Sequence, residues 1–336
     1  MAEGQLSRRS LLKIGSLGPL LLVAGCSRDR PRLVTRRGDL PDRWVRQLPD
    51  DWQVRWLPGA AEVQEASAAP LAQRPALVQL SDGWASAQSP QAWAPFGLAA
   101  LLGRLDPAAA PASRLFRGPE QVPLAFPWSV NPWVILLRDR PDLVKRASAG
   151  WDLLLDPTLT GQVVLPSSPR VVMALVRNDP QRLCKLRRQA LAHNDRHGIT
   201  LLLNGEAQAA VVPRPAVVPL LRRDPRLSAL LPEEGSPLSW SLLLRPAGVE
   251  VAPPEPWLEA ILQPRLVPRW LAGGWVPPLP RSVLAEAMRG FPPSLAALLL
   301  PPEPVLHRCA PLPPLLPGER QRLQELWNGS QPCSPA

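Results

Sequence analysis

The chain contains no tyrosine, and of its 38 basic residues only Lys13, Lys145 and Lys185 are lysines. Aromatic surface therefore has to come mainly from 13 tryptophans, and positive charge from arginine. Histidine is as scarce: His193, His197 and His307 are the only three, and no Cys-x-x-Cys pair stands beside them. His193 and His197 are spaced to share one helix face, but third and fourth ligands are missing nearby, so no metal site is expected. Gly-x-Ser-x-Gly, His-Glu-x-x-His and a glycine-rich phosphate loop are all absent, and no pair of acids stands out. These absences argue against an enzyme, and no cofactor is expected. The formal net charge is +10, yet no run of five like charges occurs and no basic stretch is interleaved with aromatics. A nucleic-acid groove needs that interleaving, so nucleic acid is not an expected partner.

What is present begins at the N-terminus. Residues 7 to 26 read SRRSLLKIGSLGPLLLVAGC: Arg8 and Arg9 adjoin, Lys13 closes the positive region, and Ile14 to Ala24 are mostly apolar before Gly25-Cys26. That run is too short to span a bilayer, which takes roughly 20 residues, so it is a leader rather than a transmembrane helix. Ser7 to Lys13 resembles a twin-arginine export signal, with Leu11 where phenylalanine is usual, and Leu22 to Cys26 resembles a bacterial lipobox. The resemblance implies cleavage before Cys26 and its acylation. Stable anchoring needs more than one acyl chain, which a diacyl or triacyl cysteine supplies. The mature protein is thus expected in the periplasm, lipid-anchored to a bacterial membrane. An oxidising compartment permits a disulfide. Cys309 with Cys333 would staple the proline-rich tail, leaving Cys184 as a buried free thiol.

Beyond a short polar tether at residues 26 to 32, strand and helix patterns alternate, as in an α/β layer with parallel strands. Strands are expected at Leu33 to Thr35, Gln53 to Leu57, Ala76 to Leu80, Val122 to Phe126, Trp133 to Arg138, Gln162 to Leu165, Ala207 to Val212 and Ser239 to Leu244. The clearest helical stripe is Leu183, Leu186, Ala190 and Leu191, predicting a helix over 180–193. From Ala247 onward proline is so frequent that helices must be short.

Five fragments follow one another in a telling order: LVQLSDGW at 77 to 84, VPLAFPWSVNPWVILL at 122 to 137, WDLLLDPTLTGQVVLPSSPR at 151 to 170, LLNGEAQAAVV at 202 to 212 and LLPEEGSPLSW at 230 to 240. Together they resemble the periplasmic solute-binding proteins of the spermidine/putrescine type. The resemblance implies the two-lobed type II periplasmic-binding architecture, each lobe a mixed sheet flanked by helices, with hinge crossovers. Residues 1–25 would be the signal peptide, 33–124 and 247–300 the first lobe, and 125–246 and 301–336 the second lobe and tail. It also implies a monomer that binds a small polar solute between lobes and docks on an ABC permease. A ligand-free structural or interaction lipoprotein on the same scaffold is the alternative.

A polyamine presents cationic ends and a methylene spacer, so its receptor offers carboxylates and aromatic faces. Asp82, Trp84, Trp128 and Trp240 are the candidate ligand residues, with Trp133 at the crossover. Asp82 could equally cap a helix, and each tryptophan could be core. One departure bears on the ligand: where the family has an acid two positions after the tryptophan matching Trp240, this chain has Leu242. Arg170, after Ser167-Ser168-Pro169, could meet an anion or form a surface ion pair.

Overall fold

The first strand, β1 (Arg32–Arg36), is apolar and buried at its centre on both faces, as a parallel strand inside a covered sheet must be. It pairs in parallel with β2 (Gln53–Leu57) on one side and β3 (Leu77–Ser81) on the other. The structure, a computed structural model, describes residues 30–195 and 197–330. The export arginines Arg8 and Arg9, the lipidation residue Cys26 and the tail cysteine Cys333 lie outside the described residues. Among the described residues no helix is long and apolar enough to cross a membrane.

After the short β4 (Trp93–Ala94) comes β5 (Ala125–Arg138), a single strand of 14 residues where the sequence reading expects two. Pro127 and Pro132 interrupt the pattern but not the strand: Pro127 lies opposite Leu242 beside a β-bulge and Pro132 opposite Leu238 at the end of the ladder with β10, places where a strand tolerates proline. Its first half pairs antiparallel with β10 (Pro237–Pro246). Its second half pairs with β8 (Ala209–Pro213) and β9 (Leu227–Leu230). Beyond β8 lie β6 (Val163–Leu165) and β7 (Ala190–His193), and β11 (Ala310–Pro311) attaches to β10. Among the described residues the order is β2-β1-β3-β10-β5-β8-β6-β7.

Strand β7 is a correction to the expected helix over 180–193. The helix stops at Gln189, and Ala190–His193 pairs in parallel with β6. Leu183 and Leu186 are buried as the stripe requires, whereas Leu191 is exposed. Alternation of half-buried and exposed positions over these four residues is the strand period, and sheet pairing outweighs the helical spacing.

Burial divides the sheet unevenly. Ile135, Leu137, Val163, Leu165, Ala209 and Val211 enter one core with Leu183, Leu186 and Trp151. Val134, Leu136, Val164, Ala210 and Val212, on alternate positions of the same strands, join the larger core that also contains Leu33, Leu77, Leu242 and Leu244. The larger core is centred on tryptophans: Trp44 stacks on Trp257 at 4.3 Å, and Trp128 lies 5.2 Å from Trp44 and 4.8 Å from Trp275. Trp44 Nε1 donates to the Trp257 carbonyl at 2.8 Å, and Trp257 Nε1 donates to the Trp44 carbonyl at 2.7 Å. Each indole thereby satisfies its one donor inside the core.

The tail helix Pro317–Gly329 packs Leu323, Leu326 and Trp327 on the smaller core. Arg187 holds its end, donating to the Trp327 carbonyl at 2.7 Å and to Ser330, with its guanidinium 4.3 Å over the Trp327 ring. The expected cysteine pairing is corrected. Cys309 is a free, buried thiol whose Sγ donates to the Val305 carbonyl at 3.4 Å, while Cys184 is disulfide-bonded. Burial also pushes the Cys309 thiol up, so it is a poor nucleophile. Peptide mapping of unreduced, denatured protein is expected to find Cys309 alkylated and Cys184 protected until reductant is added.

Candidate functional site

The seam between the two halves of the sheet is polar at its floor. Ser129 and Asn131 on β5 and Ser241 on β10 are buried, and Ser129 Oγ donates to Asn131 Oδ1 while Asn131 Nδ2 donates to Ser241 Oγ, both at 3.2 Å. These residues interrupt apolar strands at alternate positions, which the sequence displayed and the reading passed over. A β-bulge falls between Ser241 and Leu242, just where the strand leaves the seam for the core.

Asp82 stands above this floor. Strand β3 ends at Ser81 and Asp82 opens the short helix Asp82–Ser86, so its carboxyl points back over β10. Oδ1 accepts from the Trp240 backbone N–H at 3.2 Å and from Ser239 Oγ at 3.5 Å. The residue is 5% exposed, and no arginine or lysine among the described residues bonds to it. Burial, only partly offset by the bonds from Trp240, Gly83 and Ser239, raises its pKa from 3.8 to about 7. A buried acid poised near neutral pH is a recurring sign of a functional position.

The other expected residues are placed as follows. Trp240 meets Asp82 through its backbone; its ring is buried in the larger core with Nε1 lacking an acceptor. Trp84 follows two residues after Asp82 and is 40% exposed, and a step of two along a helix carries a side chain to a different face. Trp128 is enclosed between Trp44 and Trp275, a core position rather than a wall of the seam. Trp133 is half-buried at the crossover, its carbonyl accepting from Ser236 Oγ at 2.7 Å. Leu242 is fully enclosed, pairing with Leu80 and Pro127.

Two arginines complete the seam. Arg170, in the first turn of the helix Pro169–Leu175, is half-buried and donates to the Pro313 carbonyl. Burial lowers its pKa, and the charges of Asp82 and Glu319 oppose that shift. Arg214 is 2% exposed and was not singled out by sequence, although an arginine between two prolines in an apolar run was the visible signal. Its guanidinium donates to the carbonyls of Val130 at 2.7 Å, Leu299 at 3.0 Å and Leu298 at 3.4 Å. Two of these carbonyls end the helix Pro293–Leu299, where a cation is favoured. Burial pulls its pKa down to about 9, so it stays charged at neutral pH.

No family model matches the chain and no curated protein matches it in sequence. Solved structures do. The spermidine/putrescine ABC transporter substrate-binding protein PotD from Streptococcus pneumoniae aligns over 89% of this chain and 98% of its own at a TM-score of 0.68 and 13% identity. The chain has the two-lobed periplasmic-binding fold. The Tp0655 lipoprotein of Treponema pallidum (13% identity, 90% of this chain, 99% of that one, TM-score 0.61) and a periplasmic thiamin binding protein (15%, 89%, 95%, 0.63) share it. Along β5 the partners change from β10 to β8 and β9 between Pro132 and Trp133.

Two outcomes follow from the charges. The native state keeps the Asp82 proton between about pH 4 and 7 while the unfolded chain loses it, so Asp82 costs the fold increasing stability across that window. Above about pH 7 the cost levels off on the order of 4 kcal/mol. Asp82→Asn is expected to raise the melting temperature at pH 8 and leave it nearly unchanged at pH 4. Arg214→Ala strands three buried carbonyls and is expected to cost at least about 3 kcal/mol in chemical denaturation.

Proposed function

We propose that the chain is an extracytoplasmic solute-binding lipoprotein of an ABC importer, tethered through Cys26 and closing its two lobes on a small polar solute. The lobes divide where the partners of β5 change, between Pro132 and Trp133, and again between β9 and β10. The observation that carries this reading is Asp82: a carboxylate held in the seam, with no cationic side chain of the described residues bonded to it and its ionised form penalised by burial. A cationic group of the solute would supply what the seam lacks, favour ionisation and stabilise the closed form by its greater affinity for that form. The similar structures named for spermidine/putrescine and thiamin support a cation-bearing guest. The closed lobes would then present a docking surface to a permease.

Tryptophan fluorescence and calorimetry of the mature chain against polyamines, amino acids, sugars and anions test this. A saturable response that Asp82→Asn weakens by at least roughly tenfold is expected, the loss of a charge-assisted bond. A silent panel would overturn the reading in favour of a scaffold lipoprotein without a solute.

A further inference from the structure

Arg214 spends its guanidinium on backbone carbonyls, which leaves Asp82 and Arg170 as the charged pair of the seam, and their arrangement says more about the guest than either does alone. Arg170 comes from a helix whose Val172, Met173 and Leu175 are buried in the smaller core, while Asp82 follows β3 of the larger one. They meet along β10. That strand pairs with β11 at Pro237 and Leu238, and two residues beyond β11 the Pro313 carbonyl accepts from Arg170. On the same strand, Ser239 and Trp240 bond Asp82. Only a few residues of β10 therefore separate the carboxyl of one lobe from the guanidinium of the other.

Between them the floor is neutral: Ser129, Asn131 and Ser241 supply hydroxyl and amide groups and no second acid. Leu242, where a second carboxylate would be needed, is enclosed in the core. Glu319 lies near Arg170, but its Oε2 is engaged by the Leu316 backbone N–H at the start of the tail helix. A dication in this seam could place one end on Asp82, and its other end would meet the like charge of Arg170.

Building on the solute-binding reading above, we infer that the guest is a zwitterion, with a cationic nitrogen on Asp82 and a carboxylate or phosphate on Arg170. Arginine suits this role, since its planar fork donates two parallel bonds to either anion, and the bond to Pro313 leaves other N–H groups to give.

Matched probes of equal span separate the cases: putrescine, 4-aminobutyrate and succinate, with glycine betaine and phosphoethanolamine to vary the two ends. Calorimetry on the mature chain is expected to find a zwitterion bound at least roughly tenfold more tightly than putrescine. Arg170→Gln should erase that preference, leaving putrescine unchanged or improved, and Arg170→Lys should restore part of it. Asp82→Asn should weaken both classes. Melting temperatures of the Arg170 variants check that the bond to Pro313 is not what was lost. Putrescine bound best and indifferent to Arg170 would overturn the zwitterion while leaving the solute-binding reading intact. Should a dianion bind best, Asp82 would not be the anchor. No binding by any probe would overturn both.

Discussion

The antiparallel pairing of β5 with β10 is the constraint on which the molecule depends. It runs from Ala125 opposite Leu244 to Pro132 opposite Leu238; β10 carries β3 on its other edge over Ser241 to Leu244, and β5 passes beyond Pro132 to β8 and β9. The two halves of the sheet therefore hang on the same ladder. The floor residues of the seam belong to this pair, and Asp82 is oriented by the backbone of β10. A register slip of one residue would turn Leu242 outward and bury Ser241 in the core, so the apolar pattern that sets the register also sets the site.

Much of this was legible in the sequence. Alternating strand and helix patterns placed β1, β2, β3, β8 and β10 within a residue or two, and the fragments around Asp82, Arg170 and Trp240 pointed to the fold that the solved structures share. The joining of β5 into one strand was hidden because proline normally ends a strand. It persists because Pro127 falls beside a bulge and Pro132 at the end of the ladder with β10, which no local pattern records. The end of the helix at Gln189 was hidden for a different reason: Ala190 to His193 favour helix by propensity, and pairing with the edge of β6 overrides it.

The roles of the tryptophans were the least readable. A tryptophan near a ligand fragment and a tryptophan in a core look alike in sequence, since both sit among apolar neighbours. Trp128 is committed to the core by rings 84 to 147 residues away in the chain. Arg214 was overlooked for the opposite reason. A charged residue is expected at the surface, and its carbonyl partners at Val130, Leu298 and Leu299 come from segments about 84 residues before and after it.

The short stretch from Cys309 to Leu316 has a mechanical consequence. It leaves the larger core, lies along β10 as β11, gives a carbonyl to Arg170 and enters the tail helix that Arg187 clamps to the smaller core. This stretch thus joins the two cores outside the β5–β10 ladder. The tail helix therefore cannot leave the smaller core without pulling on β11 and on the bond from Arg170.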